Sequence, residues 1–143
     1  FRSLSEIRAS NIGNIFDTEA YLTAVDFTMS THEDKSGYSR TNGATAQINN
    51  SAASLFASFQ VPLGYQATHV QVYGSSTSST FDVYLCNASD ATVTSLTSSP
   101  SVGTNQALST AQEGAQGRYL SIKFTPGSTS RTVYGAKITL ARV

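Results

Sequence analysis

Tyr119-Leu120-Ser121-Ile122-Lys123-Phe124-Thr125, stopped by Pro126-Gly127, alternates apolar and polar residues without a break. Successive side chains of an extended strand point to opposite faces, so Leu120, Ile122 and Phe124 share one face while Ser121 and Lys123 share the other. The same period of two runs outward from this stretch in both directions. Residues 80–86 put Phe81, Val83 and Leu85 inward, and residues 67–73 set Val70 and Val72 against His69, Gln71 and Tyr73. Residues 54–61 align Leu55, Ala57, Phe59 and Val61 before Pro62 and Gly64 interrupt them. The last stretch, residues 132–143, aligns Tyr134, Ala136, Ile138 and Leu140.

Weaker segments complete the series. Residues 20–29 alternate Tyr21, Thr23, Val25, Phe27 and Met29 with Leu22, Ala24, Asp26 and Thr28, which predicts one strand. A strand is expected over residues 44–48 after the Asn42-Gly43 turn dipeptide, and another over residues 92–97. Residues 100–116 read as a long polar connection. Seven or eight short strands with turn signals every 8–12 residues or so, and no helix of ordinary length, predict an all-β fold. The expected form is an antiparallel β-sandwich, jelly-roll-like, since the Cys and Trp markers of immunoglobulin domains are missing.

Residues 1–19 follow neither period. They are read as an N-terminal arm, extended or with a short helix from Ser3 to Ser10 capped by Ser3 and Glu6, ahead of a β-sandwich domain over residues 20–143. Phe1, Leu4, Ile7, Ile12, Ile15 and Phe16 are its apolar side chains and its candidate assembly contacts, because a short apolar segment at a terminus must dock on something.

Composition narrows the function. The chain has 143 residues, one domain's worth, of which only 13% are charged, with a formal net charge of zero. Nine basic residues balanced by nine acidic ones do not make the positive field on which nucleic-acid binding depends. No apolar run approaches the ~18 residues of a membrane-spanning helix. The 22 Ser and 18 Thr suit the solvent coat of an assembled or extracellular protein. A single Cys rules out an intramolecular disulfide and a Cys-based zinc site.

The chemistry-bearing residues do not assemble into a reaction centre. Thr31-His32-Glu33-Asp34 offers one imidazole and two acids, short of the three or four convergent ligands a metal needs, and reads as a solvated turn. His69 reads as a sheet-surface position. Cys86 has no basic neighbour to make it reactive. No Gly-x-Ser-x-Gly elbow and no phosphate-cradling glycine loop occur. Asp26 and Asp82 are the acids on well-patterned strands, and a polysaccharide-cleaving enzyme would have to use them. No cofactor is expected.

Phe59-Gln60-Val61-Pro62-Leu63-Gly64-Tyr65-Gln66-Ala67-Thr68-His69-Val70-Gln71-Val72-Tyr73-Gly74 resembles a segment that recurs in small virion proteins of marine tailed phages. Tyr21-Leu22-Thr23-Ala24-Val25-Asp26-Phe27 is similar to the opening strand of that domain, and Tyr134-Gly135-Ala136-Lys137-Ile138-Thr139-Leu140 to its closing strand. The resemblance covers about residues 20–143, and its motifs are structural rather than chemical. It implies a non-enzymatic protein on the virion surface that decorates or cements the capsid as a homo-oligomer, a trimer among the options. The implied partners are the major capsid protein or fibre and tail components, with no nucleic acid and no membrane. The alternative it leaves open is a fibre-tip adhesin binding a host receptor or surface glycan, with the Ser/Thr/Asn-rich residues 37–50 and 98–116 as candidate contact loops.

Overall fold

The computed structural model describes residues 15, 16, 18–29, 38–48 and 53–143. Their strands are β1 (Ile15–Phe16), β2 (Glu19–Thr23), β3 (Thr28–Met29), β4 (Tyr38–Thr41), β5 (Thr45–Ile48), β6 (Leu55–Phe59), β7 (Tyr65–Gly74), β8 (Thr80–Asn87), β9 (Val93–Ser95), β10 (Gln106–Glu113), β11 (Arg118–Thr125) and β12 (Thr132–Arg142). Every pairing among them is antiparallel, and they form two sheets. The fold is the expected jelly-roll-like β-sandwich.

Sheet A is built around β12. β7 takes one edge of β12 along its length, so β2 and β5 share the other, with β5 opposite Thr132 and Val133 and β2 opposite residues 135–139. β1 extends β2, β4 extends β5, and β10 lies outside β7. Sheet B runs β3-β6-β11-β8-β9. The inward residues of both sheets meet in one core, in which Phe27, Phe81, Phe124, Leu55, Leu120, Ile122, Ile138, Leu140, Val70, Val72 and Val83 are wholly buried. Side chains of this size each contribute about 1.5–3 kcal/mol on full burial, so the alternating residues of β7, β8, β11 and β12 are what hold the two layers together.

The turn between β6 and β7 forms as its residues require. Tyr65 N–H donates to the Pro62 carbonyl at 3.1 Å, and Gly64 between them has φ +88°, a region that side chains other than glycine avoid. Tyr65 packs back into the core, and the Arg142 guanidinium lies 5.8 Å from its ring centre.

Three expectations are corrected. Residues 20–29 are not one strand: β2 ends at Thr23, a 3-10 turn follows at Ala24–Asp26, and β3 resumes in the other sheet. The Asp26 carboxylate drives the change, accepting from Thr23 N–H at 2.8 Å and from its hydroxyl at 3.2 Å. The turn buries Ala24 and Phe27 and leaves Val25 exposed, against simple alternation.

Residues 100–116 are not an unbroken connection, because residues 106–113 form β10. As an outer strand β10 sends only Leu108 into the core, so it has no apolar alternation to read. Finally, Tyr134 faces solvent. A register shift between Val133 and Gly135 makes Tyr134 the extra residue of a bulge, so Val133 and Ala136 point inward.

Of the candidate assembly contacts, Phe1, Leu4, Ile7 and Ile12 lie outside the described residues. Ile15 and Phe16 form β1, whose backbone pairs with Ala20 and Glu19.

Candidate functional site: the outer face of sheet A

Three strands from distant parts of the sequence place their outward residues in one lattice. β12 pairs with β2 and β7 at the same residues, which gives the rows Glu19–Thr139–His69, Tyr21–Lys137–Gln71 and Thr23–Gly135–Tyr73. The inward alternates Ala20, Ala136, Ile138, Val70 and Val72 are buried, and this fixes which face the rows occupy. Strand and residue spacings make the lattice roughly 10 Å by 13 Å, the footprint of a short oligosaccharide. Gly135 contributes no side chain to its row, and the Leu22 carbonyl oxygen fills the place its β-carbon would take.

Hydrogen bonds set most of this face in advance. Tyr21 O–H donates to Glu19 Oε2 at 2.5 Å. That bond, with some desolvation and the nearby charges of Glu19 and Tyr73, holds the Tyr21 phenol above the ordinary tyrosine range, as a proton donor. Gln71 donates through Nε2 to the Gly103 carbonyl at 2.8 Å, and its Oε1 accepts from Tyr73 O–H at 3.4 Å. Thr68 O–H donates to the Thr139 carbonyl at 3.4 Å, and His69 Nδ1 lies 3.0 Å from the same Thr68 oxygen.

Two tyrosines, an imidazole and a carboxylate, all held on sheet strands, can stack on and hydrogen-bond a polyhydroxylated ligand. Tyr21 is 37% exposed, and Tyr134, next to Gly135 in the chain, is 47% exposed.

The residues singled out from sequence are mostly elsewhere. His32 lies outside the described residues. His69 is on this face, half-buried, as a sheet-surface position. Asp26 belongs to the 3-10 turn. Asp82, on β8, accepts from the Thr97 hydroxyl at 3.0 Å, Ser99 N–H at 2.8 Å and the Ser99 hydroxyl at 2.9 Å, so it anchors the segment after β9. Cys86 is a buried free thiol opposite Tyr119 and Val93. No group of three His, Cys, Asp or Glu able to hold a metal ion occurs among the described residues. Of the two expected contact loops, residues 38–48 are the β4–β5 hairpin and residues 106–113 are β10. Sequence reading placed His69, Gln71 and Tyr73 on one face but did not bring Tyr21, Glu19 and Lys137 to them, because only the register around β12 does so.

No protein-family model matches the chain, and no curated protein matches it by sequence. A solved structure does share its architecture. The Podospora anserina GH26-CBM35 β-(1,4)-mannanase matches with TM-score 0.52 at 10% identity, over 90% of this chain and 29% of that chain. The likeness is one of fold. A family two carbohydrate esterase from Cellvibrio japonicus matches with TM-score 0.41 at 13% identity, over 87% of this chain and 34% of that chain. The Clostridium thermocellum endo-1,4-β-D-xylanase 10B CBM22-1–GH10 modules, complexed with xylohexaose, match with TM-score 0.35 at 17% identity, over 90% of this chain and 26% of that chain. The chain therefore spans about a third or less of each of these three chains.

Proposed function

We propose that the chain is a non-catalytic glycan-binding β-sandwich and that the outer face of β2, β12 and β7 is its ligand platform. The observation that carries this reading is the three-row lattice, with its tyrosines and polar groups already fixed by hydrogen bonds. Preorganised groups lose little freedom on binding, so each contact keeps most of its strength. The mannanase with CBM35 supports it as a polysaccharide-directed protein in which this fold occurs. Asp26 and Asp82 support no catalytic role, since both carboxylates are engaged in local structure.

Joined to the resemblance to phage virion proteins, this is the adhesin reading: a domain on the particle surface, in a homo-oligomer, engaging host glycan. Weak single sites gain from such multiplicity. Capsid decoration is the second reading, favoured by the low charge and the resemblance of residues 59–74. A glycan array probed with the 143-residue chain separates the two. Binding that is weakened in Tyr21→Ala supports the platform, and an array with no bound glycan favours decoration.

A further inference from the structure

We propose that the glycan is acidic, and that Lys137 receives its negatively charged group. This rests on the platform reading above and adds the chemical class of the ligand. Lys137 occupies the centre of the lattice, with Tyr21 directly opposite on one side and Gln71 on the other. It is half-buried, and its ammonium has no hydrogen-bond or ion-pair partner among the described residues. The other titratable groups of the three rows differ from it: Glu19, Tyr21, His69 and Tyr73 are each held by a bond within the face. The nearest carboxylate in the lattice, Glu19, sits diagonally from Lys137 and accepts the Tyr21 phenol instead.

The donors on either side are largely committed. Gln71 gives one of its two Nε2 hydrogens to Gly103, and the Tyr21 phenol gives its hydrogen to Glu19. Lys137 thus brings to the middle row its three uncommitted donors and its positive charge. A neutral sugar would accept from the ammonium through a hydroxyl oxygen, with only one partner charged. A carboxylate or sulfate ester adds the attraction between two opposite charges. The His69 imidazole and the tyrosine rings are then left for the hydroxyls and apolar faces of the same sugar, so that charge, hydroxyl and ring each meet a matching group.

The test is calorimetric titration of the 143-residue chain with three probes of equal length: a neutral β-(1,4)-linked hexaose, a hexauronate and a sulfated hexaose. At least one anionic probe is expected to bind about tenfold more tightly than the neutral one. Lys137→Gln should abolish that difference, costing the anionic probe far more than the neutral one while the melting temperature stays unchanged, and Lys137→Arg should retain it. Raised ionic strength should weaken the anionic probe and spare the neutral one. The uronate and sulfate arms tell which anion is preferred. Equal affinity for all three probes, or a silent Lys137→Gln, overturns the acidic-ligand proposal and leaves the glycan platform standing. Binding of no probe overturns the platform, and this inference with it.

Discussion

Lys137 and Tyr21 stand directly opposite one another across the β2–β12 ladder, though they are more than a hundred residues apart in sequence. Tyr21 offers an aromatic surface, and its exposure means that it contributes little to the core. Tyr21→Ala should therefore weaken glycan binding about tenfold, or about 1–1.5 kcal/mol. The melting temperature should shift little. Calorimetry and thermal unfolding on the same sample check both halves.

The Tyr21 phenol is held high chiefly by its hydrogen bond to Glu19. Glu19→Gln should bring its titration down toward the ordinary tyrosine range, as read by tyrosinate absorbance or NMR. The sign for stability follows. A raised folded-state value gives a contribution that is fully present below the ordinary tyrosine value of about 10 and is lost as pH rises through the folded one. The variant should lose part of that alkaline dependence, and an unchanged titration would remove Glu19 as the cause.

Gly135 is fixed by space. A β-carbon built there would stand 2.5 Å from the Leu22 carbonyl oxygen, a backbone atom held in the β2–β12 ladder. Gly135→Ala must push the two strands apart, at a cost of about 1–3 kcal/mol. Denaturant unfolding should show that loss, and because the platform spans the same ladder, glycan affinity should fall with it.

Asp82 separates structure from chemistry. Asp82→Ala leaves the Ser99 N–H and two hydroxyls without their acceptor, which should destabilise the domain by about 1–3 kcal/mol. Glycan affinity should not change, because β8 belongs to the other sheet. Polysaccharide cleavage lost in this variant would instead revive the enzyme alternative.

Much of the sandwich was legible because burial and strand period coincide. Phe81 and Val83, or Leu120, Ile122 and Phe124, sit in central strands that face one core, so the alternation in the sequence is the alternation in space. It failed where that coincidence breaks. The Thr23-x-x-Asp26 pattern turns the chain between sheets, and it is the same kind of cap signal that was read at Ser3 and Glu6. The outer strand β10 has little to bury, and the bulge at Tyr134 reverses the parity of the residues before it. The platform was legible only in its β7 row, since no local pattern reports that residues near positions 20, 70 and 137 share a ladder.

The most direct test of the glycan platform is an NMR titration of the isotope-labelled 143-residue chain with an oligosaccharide that it binds. The account predicts amide shifts clustered on residues 19–23, 69–73 and 135–139. Shifts clustered instead on the outer face of sheet B, around Phe56, Tyr84 and Tyr119, would contradict it.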